Sequence, residues 1–186
     1  APDDRRLLDN KVESVFGKAG TERRPCVLVA TQTLEQSLDV DFDFLITDLC
    51  PADVLLQRIG RLFRHERIRS ENFPEPQCCI LTPDGGREWL LTKEAKRHQF
   101  GDERAYEDQR IIAATWMMLE KIVQGKGIIE IPTMNRSFVE KSTHPDALHS
   151  LACSLGPEWE SLTQRITGRK YARKSVAALE TIKWDE

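Results

Sequence analysis

The stretch Cys26-Val-Leu-Val-Ala-Thr31-Gln-Thr-Leu-Glu-Gln36-Ser-Leu-Asp39-Val-Asp41-Phe-Asp43-Phe-Leu-Ile-Thr47 decides the fold. Cys26 to Ala30 is short, uniformly apolar, rich in valine and bounded by Pro25 and Thr31, the pattern of a strand buried on both faces of a parallel sheet. Phe44 to Thr47 repeats that pattern, and Cys79 to Leu81, ahead of Thr82-Pro83, shows it a third time. Between the last two, Pro51 to about Phe63 reads as a helix with proline at its start and Asp53 in its first turn. Strand, turn, strand, helix and strand in close succession imply parallel pairing through crossovers, hence an α/β layered domain. Three strands fall short of the roughly five of a self-contained sheet, so the chain is expected to begin partway through its domain.

On the N-terminal side, Leu7, Leu8, Val12, Val15 and Phe16 recur at helical spacing, which predicts an amphipathic helix over 3–16 that Gly17 and Gly20 can stop. On the C-terminal side the character changes at Pro83-Asp84-Gly85-Gly86. Ile111 to Val123 has a wide apolar face, Ile128 to Ile131 is compatible with a short strand, and Trp159, Leu162, Ile166, Val176, Leu179 and Ile182 predict a long helix. The expected organisation is therefore an α/β part over 1–83 and a mainly helical extension over 84–186. Trp116, Met117 and Met118 belong to the core of a packed helix on this reading, rather than to a base-stacking platform.

With 186 residues, 40% of them hydrophobic and 31% charged, the chain has the length and composition of a folded domain with an extension, not of a disordered segment. A net charge of −3 argues against a wholly basic nucleic-acid module, yet Arg58, Arg61, Arg64, His65, Arg67 and Arg69 crowd into one short run. The five cysteines form neither a zinc spacing nor a disulfide framework, and His65, His98, His144 and His149 are scattered, so no metal site is expected. No apolar run approaches the roughly 20 residues that cross a bilayer, and Ala1 to Arg6 is charged with no signal-like core behind it. A cytoplasmic location is expected.

Two segments carry chemistry. The first places a polar, hydroxyl-bearing turn at the carboxyl end of the Cys26–Ala30 strand, where open parallel sheets bind ligands. There Asp39 can accept hydrogen bonds from ribose hydroxyls, while Thr31 and Gln32 can reach a phosphate backbone or a neighbouring domain; a solvated loop with a satisfied aspartate is the alternative. The second, Gln57-Arg-Ile-Gly-Arg-Leu-Phe-Arg-His65, sets three arginines at steps of three on one side of a helical turn, with Gly60 leaving room for a close approach. Planar, permanently charged forks grouped in this way suit a polyanion, above all a γ-phosphate. The alternative is an exposed basic helix face.

Together the segments resemble motifs V and VI of superfamily 2 helicases. Gln57, Arg58, Gly60, Arg61 and Arg64 meet motif VI at every defined position. Motif V is met at Thr31 and Asp39, but Gln36-Ser37 stands where Arg-Gly is common. That departure, with Asp39-Val-Asp-Phe-Asp43 and Leu45-Ile-Thr-Asp-Leu-Cys-Pro51, resembles the helicase–nuclease of type I CRISPR systems over about Val12 to Pro83. The resemblance implies that residues 1–83 are part of the second RecA-like lobe and 84–186 a linker or extension. It implies Arg61 and Arg64 as catalytic γ-phosphate arginines and Asp39, Gln57, Arg58 and Gly60 as ATP-binding residues. Thr31, Gln32 and Gln36 would line the single-stranded DNA path. ATP and Mg2+ would serve the complete enzyme, and its partners would be single-stranded DNA, a first motor lobe, a His-Asp nuclease domain and the CRISPR surveillance complex.

No phosphate-cradling Gly-x-x-x-x-Gly-Lys-Ser/Thr occurs: Gly17-Lys18 and Gly125-Lys126 are followed by Ala19 and Gly127. Asp102-Glu103 follows no buried strand and reads as surface charge. This chain alone is therefore expected to be inactive. Two other readings stand beside the motor fragment: a non-catalytic DNA- or partner-binding module, and a fragment of another superfamily 2 helicase.

Overall fold

The computed structural model describes residues 2–20, 24–31, 38–93, 95 and 106–180, which form two compact units. The first comprises Ala1–Thr82 with Glu130–Asn135, the second Pro83–Ile129 with Arg136–Glu186.

In the first unit, helix α1 (Pro2–Phe16) ends where Gly17 donates its N–H to Glu13 O at 2.8 Å. A Cβ on Gly17 would lie 2.5 Å from that carbonyl, so the close turn requires glycine. Only the C-terminal end of the predicted apolar stripe is covered: Val15 is buried, while Leu7 and Leu8 are exposed. The chain returns to the helix end at residues 40–42. Gly17 bridges Val40 antiparallel, Asp41 N–H donates to Phe16 O at 2.9 Å, and the rings of Phe16 and Phe42 stand 5.1 Å apart.

Strand β1 (Phe44–Asp48) pairs in parallel with β2 (Gln77–Leu81), Phe44 opposite Gln77 and Asp48 opposite Leu81. Helix α2 (Ala52–Ile59) connects them and buries Ala52, Leu55 and Leu56. This is the expected parallel β-α-β unit, with two corrections. Cys26 to Ala30 is not a strand. Val27 and Val29 are 90% exposed, and among the described residues β1 and β2 pair only with each other. An apolar run becomes a buried strand only when a neighbouring strand takes up its backbone hydrogen bonds and layers cover its faces. For the same reason Ile46 and Leu81 remain more than half exposed.

The second correction concerns α2, which stops at Ile59 and does not run on to Phe63. Gly60 is a poor helix former, and the backbone beyond it has another partner. Phe42 N–H donates to Arg61 O at 2.9 Å, and Phe63 N–H donates to Phe42 O at 3.1 Å. Phe63 adopts the left-handed region (φ 49°) in completing this turn. Arg58 therefore lies in the helix, whereas Arg61 and Arg64 lie on the segment after it, so the three do not share a helical face.

The second unit is helical. A 3-10 turn (Arg87–Leu91) packs on α3 (Gln109–Gln124), α3 contacts α5 (Pro145–Leu155), and α5 packs along α6 (Pro157–Glu180); α4 (Asn135–Thr143) precedes α5. Its core includes Leu90, Ile112, Trp116 and Trp159, and Trp116 occupies the packed-helix position expected of it. Asp108 caps α3 by accepting from Arg110 N–H, and His144 caps α5 by accepting from Asp146 N–H ahead of Pro145. Among the described side chains, the apolar face expected along the last helix is buried at Trp159, Leu162 and Ile166 and half-exposed at Val176; the Leu179 side chain and Ile182 lie outside the described residues. Ile128 to Ile131 forms no strand. Its backbone enters a turn instead, Met134 N–H donating to Glu130 O at 2.9 Å.

Candidate functional site

The segment 38–43 and the segment 61–69 lie side by side, and three aspartates at alternate positions meet the arginines. Asp39 Oδ1 ion-pairs with Arg64 Nε at 2.8 Å and lies 3.1 Å from His65 Nε2. Asp41 is fully buried. Its Oδ1 accepts the backbone N–H of Arg64 at 2.9 Å, and its Oδ2 lies 2.6 Å from Arg67 Nε and 3.0 Å from Arg69 Nη2. Asp43 Oδ1 accepts from Arg69 Nη1 at 2.9 Å. Arg69 also donates to His65 O at 2.6 Å and lies over the Phe63 ring, 4.2 Å from its centroid. Arg67 reaches Gly17 O, tying α1 into the same cluster.

Burial by itself works to lower the Arg69 pKa. The hydrogen bonds to Asp43 and Asp41, with the charges of both carboxylates, outweigh it and leave the pKa raised. Arg69 is a permanent cation in this setting. Exposure differs sharply across the cluster. The Arg64 and Asp39 side chains keep 44% and 50% of their surface, whereas Arg69 keeps 10% and Asp41 none. A solvent-facing pair of this kind contributes little to stability and can exchange partners; the buried set cannot lose one member without stranding a charge.

The remaining expected site residues are placed as follows. Arg61 donates to the Leu38 carbonyl, and Arg58 donates to Thr47 Oγ1 at 2.6 Å, next to β1. Gln57 and Gly60 are exposed at the end of α2, and Thr31 is exposed after the Cys26–Ala30 run. Gln32 and Gln36 lie outside the described residues, as do His98, Asp102 and Glu103. Among the described residues no group of three or more His, Cys, Asp or Glu is arranged to hold a metal ion, and no helix is long and apolar enough to cross a membrane. All five cysteines are free. The sequence reading missed Asp41 and Asp43 as partners of Arg67 and Arg69. The available signal was a period of two on both sides, aspartate at 39, 41 and 43 against arginine at 67 and 69.

The parallel β1–α2–β2 unit has the fold of part of a RecA-like second helicase lobe, and a mainly helical part follows it. A family model described as "CRISPR-associated nuclease/helicase Cas3, C-terminal" matches residues 1–67. The chain is 36% identical over 184 residues to the CRISPR-associated endonuclease/helicase Cas3 of Escherichia coli K12, covering 98% of this chain and 19% of that protein. The crystal structure of T. fusca Cas3 superposes with a TM-score of 0.70 at 26% identity, and the structure titled T. fusca Cas3-ATP with 0.68 at 27%. Each covers 97% of this chain and 19% of that one. These matches support a C-terminal part of a CRISPR-associated nuclease/helicase, and the chain spans about a fifth of the length of the relatives it matches.

Proposed function

We propose that this chain is the section of an ATP-dependent single-stranded DNA translocase, coupled to a nuclease that degrades invader DNA in type I CRISPR interference, which supplies the γ-phosphate arginines and part of the DNA track. The observation that carries this reading is the meeting of Asp39 with Arg64 and His65, residues 25 and 26 positions apart in the chain. The group proposed to contact ribose and a group proposed to contact the γ-phosphate thus occupy one solvent-facing spot. Arg64 can leave a carboxylate for a phosphate there at little cost. Arg61 is the second γ-phosphate arginine, and Gln57, Arg58 and Gly60 complete the nucleotide-facing end of α2. Thr31, Gln32 and Gln36 line the DNA path.

Residues 1–83 serve as motor lobe and 84–186 as linker or extension in this proposal. Mg2+ assists phosphoryl transfer in the complete enzyme. Its ligands come from outside the described residues of this chain, as do the phosphate loop, the first lobe and the nuclease, and the surveillance complex is the proposed recruiting partner. The reading carries with it a cytoplasmic location, which five free cysteines suit. The test is DNA-stimulated ATP hydrolysis by the full-length protein. Arg61→Ala and Arg64→Ala should each lower it by roughly 10³-fold, the scale of arginine-finger loss, with the fold retained. Near-normal turnover in either variant would overturn that residue's role. This chain alone should hydrolyse no ATP, and turnover by it would contradict its standing as half of a site.

A further inference from the structure

We propose that Asp41 is a positioning residue for Arg64, holding the backbone of that arginine in place so that only its side chain moves between Asp39 and the nucleotide. The inference rests on the motor reading above and extends it to a residue with no solvent access.

Arg64 is gripped twice, by aspartates two positions apart. Exposed Asp39 takes the guanidinium at Nε, whereas buried Asp41 takes the main-chain N–H. Phe42, between them, accepts from Phe63 N–H and donates to Arg61 O, which sets residues 61–64 in register with residues 41–43. Asp41 is itself anchored, its own N–H donating to Phe16 O at the end of α1. Two cations beside it, Arg67 and Arg69, follow Arg64 closely in the chain and are 16% and 10% exposed.

A carboxylate stripped of water is tolerated only when its partners are all in place, so such a cluster has one low-energy arrangement and not a continuum of them. The 61–69 segment has no regular secondary structure beyond its turn, and a loop of that kind would otherwise sample many backbone positions. The buried aspartate removes that freedom. An arginine that must meet a transferring phosphoryl group gains from a fixed base, because displacement by about 1 Å can cost on the order of 10²-fold in rate. The ion pair with Asp39 is the resting position of the side chain, and the Asp41 cluster is the pivot.

The test uses the full-length protein with Mg2+, single-stranded DNA and a fluorescent ADP, titrated with and without aluminium fluoride, whose ADP complex mimics the transition state. Asp41→Asn keeps an acceptor for the Arg64 N–H and removes the charge. It should leave ADP affinity unchanged, weaken the ADP–aluminium fluoride complex by roughly 10-fold or more, and lower kcat in parallel. A purely structural role would weaken both complexes together or neither. Should Asp41→Asn fail to fold, Arg69→Lys is the second variant, since it keeps the charge and loses the fork that joins Asp41 to Asp43; the same split between the two complexes is expected. Arg64→Ala separates the two levels of argument. If it retains tight ADP–aluminium fluoride binding, the γ-phosphate role of Arg64 falls, and the positioning role with it. If Arg64→Ala loses that binding while Asp41→Asn and Arg69→Lys keep it, only the positioning role falls.

Discussion

At the residue scale, burial separates arginines that the sequence presents as one basic run. Arg69→Ala would leave Asp41 without solvent and short of a cation, a change that costs about 3–5 kcal/mol in comparable buried pairs. Arg64→Ala removes a half-exposed pair worth about 1 kcal/mol or less. Urea unfolding should therefore show a large loss of stability for the first and almost none for the second; equal losses would mean that the burial difference has no energetic weight. Cys78 gives a pH prediction. Burial, with the neighbouring Cys79 adding to it and Arg58 opposing it, pushes its thiol up to about 11 from an ordinary 9.0. The unfolded thiol ionises first, so stability is unaffected below pH 9 and falls as pH rises from 9 towards 11. Cys78→Ser should flatten that decline in a series of thermal melts, and an unchanged slope would contradict it. Asp39, Arg61 and Arg64 stand out in the sequence as candidates because they occupy a motif of fixed spacing. Asp41 was missed because its signal, alternation matched by Arg67 and Arg69, lies in two distant segments, and nothing local distinguishes an aspartate facing a buried cation from one facing water.

At the scale of elements, the helices were readable wherever an apolar period coincided with a stop signal. Helix α1 ends at Phe16 because Gly17 follows, whereas α3 starts at Gln109, ahead of the expected Ile111, because Asp108 caps it, which the apolar period alone did not mark. Replacing Asp108 with alanine should cost about 0.5–2 kcal/mol of stability through the lost cap, and more if the ion pair it makes with Arg110 at 2.7 Å contributes. Where a second partner competed for the same backbone, the reading failed: residues 61–63 satisfy Phe42 rather than prolonging α2, and no helical or strand period contains that information. Helix α6 offers a gain of stability. Gly168 lies within it, and a Cβ there would meet nothing within 4 Å. Gly168→Ala should raise stability by about 0.5–1 kcal/mol, from helix propensity and the reduced freedom of the unfolded chain. A lower melting temperature would show that this part of α6 needs the glycine.

Across the whole molecule, the α/β then helical order was legible from composition and periodicity, whereas the coverage of the strands was not. Cys26 to Ala30 has the residues of a central strand and the exposure of a surface one, because burial depends on what lies beside a strand as much as on the strand itself. The alternating aspartates bear on how the whole chain meets a polyanion. Counted from the sequence, the run from Arg58 to Arg69 holds six basic residues, and a single strand neutralised by all six would displace counterions with a log–log salt slope of roughly −4. At least four of those residues already lie against a carboxylate: Arg64 and His65 have Asp39, Arg67 has Asp41, and Arg69 has Asp41 and Asp43. Internal neutralisation leaves fewer small cations to be released, so titrations of this chain with single-stranded DNA across a range of salt should give a shallow slope, about −1 to −2. A slope near −4 would mean that the strand pulls arginines away from their aspartates when it binds.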